Sequence, residues 1–117
     1  TGMSPSDKAE EIVRRLAAGR DADFLRSPIP RGTQVLSVFL HGDIVIVNLS
    51  KEFMTNLQGG VDAELLAVYS IVNSLLYNIE SADAVQILID GEKVPTLRGN
   101  VDIESPLIAN TAITRSL

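Results

Sequence analysis

Few residues of this chain have the types and spacing that catalysis or ligation needs. His41 is its one histidine, so no histidine pair, no Glu-x-x-His zinc site and no Ser-His-Asp triad can be assembled. There is no cysteine, which removes disulfides, thiolate nucleophiles and cysteine-held metals together. Asp102 and Glu104 alternate along an extended segment and could point the same way towards a cation. Two carboxylates without a third ligand make a poor site, and a solvated edge is the simpler reading. Gly59 and Gly60 ahead of a helix resemble an anion cradle, but the Lys and Ser or Thr of a phosphate loop are missing, and Asp62 and Glu64 would repel a phosphate. They read as a turn and a close approach. No catalytic residue, metal site or cofactor is therefore assigned, and the expectation is a protein that is not an enzyme.

Two amides remain. Asn73 stands among Tyr69, Val72 and Leu76, where a buried amide must find partners, and a bond to a neighbouring loop backbone is favoured over a ligand contact. With Asn100 it forms the candidate polar site of the chain. Tyr69 and Tyr77 read as packing residues with a wet hydroxyl. Asn48-Leu49-Ser50 is a formal glycosylation sequon at a strand end and carries little weight.

The element that would position these groups is the stretch from Gly59 to Ile79. Leu65, Val68, Val72, Leu75 and Ile79 recur at spacings of three and four, which predicts a helix with one apolar side; Ser70, Asn73, Ser74 and Asn78 form a polar strip. Asp62 and Glu64 complement the dipole in its first turn. Upstream, Ser4, Pro5 and Asp7 read as an N-cap, a first-turn proline and an acid that opens a helix, with Gly19 to end it. Phe24 should pin a connector that Pro28 and Pro30 keep extended.

Gln34 to Leu40 and Asp43 to Leu49 predict a strand pair joined by His41 and Gly42, His41 being a solvated turn residue that tolerates positive φ. That register pairs Leu40 with Asp43 and Val38 with Val45. It places Leu36, Val38, Leu40, Val45, Val47 and Leu49 on one face, and Val35, Ser37, Phe39, Ile44, Ile46 and Asn48 on the other. Ser50 should cap a short helical turn through Phe53. Ala84 to Ile89 reads as a third strand, Asp90-Gly91 as a hairpin turn, and Lys93 to Leu97 as a short returning strand with an edge proline.

The 117 residues and 45% hydrophobic content suffice for one core. A net charge of -5 argues against nucleic acid and against anionic lipid surfaces. No run is apolar enough to span a membrane, and Thr1-Gly2-Met3 looks like a cloning remnant or a trimmed start, so a membrane would be reached only through an anchor absent from this chain.

The fragments Pro30-x-Gly32-Thr33, Leu49-Ser50-Lys51-Glu52-Phe53, Tyr69-Ser70-Ile71-Val72-Asn73 and Gln86-Ile87-Leu88-Ile89-Asp90-Gly91 occur in one order between Ile29 and Leu107. Together they resemble the sporulation and spore-germination (GerMN) domain of bacterial envelope lipoproteins. Two positions depart from that pattern: the family usually has Asp-Gly at the first hairpin turn, and a histidine is common where Asn100 stands. The resemblance implies an α/β sandwich similar to ring-building motifs, a membrane-tethered parent outside the cytoplasmic membrane, and no known catalysis.

The resulting expectation is an α+β fold: a small, mostly antiparallel sheet of 3–5 strands with two main helices on one face. Residues 1–28 would be an N-terminal helix and connector, 29–107 the GerMN-like domain and 108–117 a C-terminal tail, within a single domain. Two helices cover only one side of the sheet, which leaves Val35, Phe39, Ile44 and Ile46 as a candidate interaction face unless Leu107, Ile108 and Ile113 of the tail fold across it. The leading function is a protein-interaction or assembly module working through a protein partner or self-association. The alternative is an extracytoplasmic sensor of a small envelope ligand such as a peptidoglycan fragment.

Overall fold

The computed structural model describes residues 3–18 and 28–110. Gly19, Phe24 and Ile113, with their expected roles, lie outside the described residues. The chain runs α1 (Pro5–Ala18), β1 (Val35–His41), β2 (Ile44–Leu49), α2 (Glu52–Thr55), α3 (Val61–Asn78) and β3 (Ala84–Ile89). The strands form one three-stranded sheet in the order β1-β2-β3. β1 and β2 are antiparallel, while β2 and β3 are parallel, so the sheet is mixed and not mostly antiparallel as expected. A parallel pair needs a long crossover, and α2 and α3 supply it.

The α+β class and the layering follow the expectation. Val38, Val45, Val47, Leu49, Val85, Ile87 and Ile89 of the sheet form one buried cluster with Ala9 and Val13 of α1 and Val68, Val72 and Leu75 of α3. α1 begins as its sequence dictates: the Asp7 amide donates to Ser4 Oγ at 3.1 Å, and Pro5 opens the first turn. Ser6 then accepts the Leu40 amide at 2.9 Å, which fastens α1 to the outer edge of β1.

The hairpin differs from the expected register. Leu40 pairs with Val45 and Val38 with Val47, so the turn is Gly42-Asp43, one residue later than predicted. Gly42 has φ 65, and among the described non-glycine residues only Asp90 has positive φ. Glycine at the first central position suits a type II′ turn, whereas His41-Gly42 would have forced histidine into the left-handed region. The two-residue shift in pairing preserves the face assignments except at the start of β1. A bulge between Val35 and Ser37 pairs Val35 with Leu49 and packs it against the core, leaving Leu36 46% exposed. Val35 is therefore removed from the candidate interaction face.

α3 is buried on more than its apolar side. Ser70 and Asn73, expected on a polar strip, are 3% and 2% exposed, and Glu64 is fully buried. The Ser70 hydroxyl donates to the Ala67 carbonyl, a bond within the helix that leaves no other group orphaned when lost. Val72→Ala is accordingly expected to cost about 1–3 kcal/mol through lost burial and a small cavity, and Ser70→Ala less than about 0.5 kcal/mol, in urea melts. Equal effects would show that Val72 does not bear on the sheet.

Beyond β3 the Asp90-Gly91 turn forms, with φ 50 and 83, as a type I′ turn closed by a pair of hydrogen bonds between Ile89 and Glu92. The expected strand from Lys93 to Leu97 does not follow it; an isolated bridge between Thr96 and Asp102 stands there instead. Pro95 carries no amide for a ladder, and the segment is drawn to a different partner.

Candidate functional site

That partner is Glu64. Its carboxylate has no exposure, although it lies in the first turn of α3, where it was expected only to complement the dipole. The loop from Leu97 to Val101 wraps around it. Backbone amides of Leu97, Arg98 and Val101 donate to Oε2 at 3.3, 3.2 and 3.0 Å. The Asn100 amide lies 3.3 Å from Oε1, and the Asn100 side chain donates to Oε1 at 3.0 Å. Gly99, at φ 96, lets the loop curl so that successive N–H groups converge, a backbone concavity of the kind that binds anions. Here the anion is the protein's own. Burial pushes the Glu64 carboxyl up, but the bonds from Arg98, Asn100 and Val101 outweigh it and hold the group below the usual carboxylate range.

The other candidate amide is spent in the same manner. Asn73 Nδ2 donates to the Asn110 carbonyl at 2.9 Å, and the Asn110 amide donates to Asn73 Oδ1 at 2.8 Å. Asn73 thus ties Asn110 to α3, while Asn100 helps hold the loop 97–101 there. An open depression of about 450 Å³ lies between them, lined by Leu65, Tyr69, Asn100, Asp102 and Asn110 among others. Burial raises the Tyr69 hydroxyl above its ordinary value. Asp102 accepts the Glu104 amide at 3.0 Å, so the two acids form a local turn. Among the described residues no three potential metal ligands cluster.

The fragments that carried the family resemblance are tie points of the same kind. Gly32, at φ 86, closes a turn in which the Thr33 amide reaches the Pro30 carbonyl. The Asn56 side chain donates to the Arg31 carbonyl at 2.7 Å beside it. Gln34 and Ser50 exchange two bonds, the Gln34 amide to Ser50 Oγ and the Ser50 amide to the Gln34 carbonyl, each at 2.9 Å. Gln86 donates to the Ile87 and Ile103 carbonyls, and its Oε1 is a buried acceptor without a protein donor among the described residues. Gly59 is a close approach, as expected: a Cβ there would lie 2.6 Å from that of Ala63.

The second face of the sheet is less covered. Phe39 is 43% exposed, and Ile44, Ile46 and Leu88 are half-buried. Phe39 pairs with Ile46 and Ile46 with Gln86, so the three residues run side by side across the strands. His41 is exposed at the end of this row.

Fold and site together define a small α+β domain whose interior polar side chains, the Gln86 Oε1 atom apart, are bonded to its own backbone. The chain belongs to the Germane family, described as sporulation and spore germination, which matches residues 2–95. A structure of a candidate lipoprotein from Clostridium perfringens is similar at 28% identity and a TM-score of 0.80, covering 89% of this chain and 68% of that one. The first GerMN domain of the sporulation protein GerM from Bacillus subtilis has the same fold, with a TM-score of 0.70 at 20% identity over 95% of this chain and 84% of the other. The tandem GerMN domains of the same protein match at 0.67 and 14% identity, over 90% of this chain and 36% of theirs. No curated protein matches the sequence.

Proposed function

We propose that this chain is a non-catalytic protein-interaction or assembly domain of a bacterial cell-envelope protein. The observation that carries the proposal is the apolar row of Phe39, Ile44 and Ile46 on the sheet face opposite the helices. The described part of the C-terminal segment does not lie over that row. Leu107 bridges to Val85 at the edge of β3, and Asn110 is bonded to Asn73 of α3, so through residue 110 the chain turns towards the helix layer. Catalysis finds little support, since the buried carboxylate of Glu64 is occupied by amides. The likeness to a candidate lipoprotein supports an envelope location. No helix among the described residues is long and apolar enough to cross a membrane.

Phe39→Asp combined with Ile46→Lys tests the reading. The expected result is a folded monomer, unchanged in far-UV circular dichroism, that has lost its partner in light scattering and in pull-down from envelope extracts. A variant that unfolds would make this face core and end the interaction reading.

A further inference from the structure

The charges around the exposed face narrow the chemistry of what it binds. Asn48 points to the same side as Ile44 and Ile46, and its Oδ1 accepts the Gly91 amide at 2.7 Å, so the turn bearing Asp90 and Glu92 closes one end of the row. At the other end stand Asp43 in the hairpin turn and Asp83, whose amide donates to the Asp43 carbonyl. All four acids are exposed. Lys93 follows Glu92 in the chain, while Lys51 at the start of α2 stands next to Glu52, whose carboxyl is held down first by a hydrogen bond with Ser50 and further by the Lys51 charge. The apolar row is bounded at both ends by negative charge.

Resting on the interaction reading above, we infer that this face docks an amphipathic helix whose apolar side is flanked by lysine or arginine. A second copy of the chain fits poorly: face-to-face pairing would bring acidic rims together on molecules of net charge -5. Anionic bilayers meet the same repulsion. Strand addition is disfavoured as well, because backbone groups at each sheet edge are already bonded. The Leu40 amide on β1 is given to Ser6, and Val85 on β3 exchanges two bonds with Leu107. Among the described residues the face itself is left open, and on such a face a helix buries one apolar stripe.

The probe is a pair of synthetic amphipathic peptides of about 14 residues, with leucine on one side and either lysine or glutamate on the other, titrated by fluorescence anisotropy. The lysine peptide is expected to bind at least about tenfold more tightly than the glutamate peptide, and to weaken as salt is raised from about 50 to about 500 mM. Phe39→Ser with Ile46→Ser, which leaves the charges unchanged, is expected to lower its affinity about tenfold. Asp90→Asn with Glu92→Gln leaves the apolar row intact and is expected to remove part of the salt dependence. Equal binding of both peptides through Phe39, or a dimer that the serine variant dissolves, overturns the basic-helix inference while leaving an interaction face. Absence of binding, or binding that none of the four substitutions changes, overturns the inference and removes this face as the docking site.

Discussion

Glu64→Ala is expected to destabilise the domain by on the order of 4 kcal/mol, because four backbone amides lose their acceptor together, those of Leu97 and Val101 buried and those of Arg98 and Asn100 partly so, and each orphaned buried donor costs roughly 1–3 kcal/mol before water re-enters. Glu64→Gln keeps the shape but turns an NH2 group towards N–H groups, so it should recover only part of the loss. Chemical denaturation measures the cost, and hydrogen exchange at residues 97–101 localises it. Unchanged midpoints and unchanged amide protection would show that the loop holds itself. The same group predicts an acid limb. Because the folded carboxyl lies below the usual carboxylate range, its stabilisation is complete above the unfolded value and is lost as pH falls through the folded one. Loss should therefore begin below about pH 4 in the natural chain and lack this component in the glutamine variant.

Phe53→Ala is expected to cost about 3–5 kcal/mol, the range for removing a fully buried phenylalanine. Phe53 has no exposure and is the buried residue of α2, which has four residues and no side-chain cap. A helix of that length does not hold itself in water, so tertiary packing of this ring fixes it. Leu36→Ala, at the exposed bulge, is the matched control and should change stability by less than about 0.5 kcal/mol. Similar denaturation midpoints for the two variants would remove Phe53 from the centre of the core.

What the sequence made legible was local. Ser4, Pro5 and Asp7 specify a helix start through neighbouring backbone, and the Asp90-Gly91 turn needs only its own two φ angles. The hairpin register was harder, since His41-Gly42 and Gly42-Asp43 both offer a two-residue turn. The choice depended on which central position the glycine must occupy. The bulge at Leu36 left no compositional mark, and with it went the placement of Val35. Least legible was Glu64. A carboxylate in a helix's first turn reads as a solvated dipole partner, and the amides that bury it come from a loop more than thirty residues downstream. The signal that was available was Arg98-Gly99-Asn100, a turn with a glycine able to curl, but sequence alone does not say what such a turn encloses.

The parallel pairing of β2 with β3 constrains the order in which the molecule can assemble. β1 and β2 meet through a tight turn and can zip early, since little chain entropy is lost in closing it. β3 joins β2 only by closing a loop that holds the whole of α2 and α3, at a larger cost in chain entropy. The amide cradle around Glu64 forms only when the chain beyond β3 returns to the start of α3. The carboxylate is thus dehydrated by contacts of long sequence separation, whereas the hairpin rests on contacts of short separation.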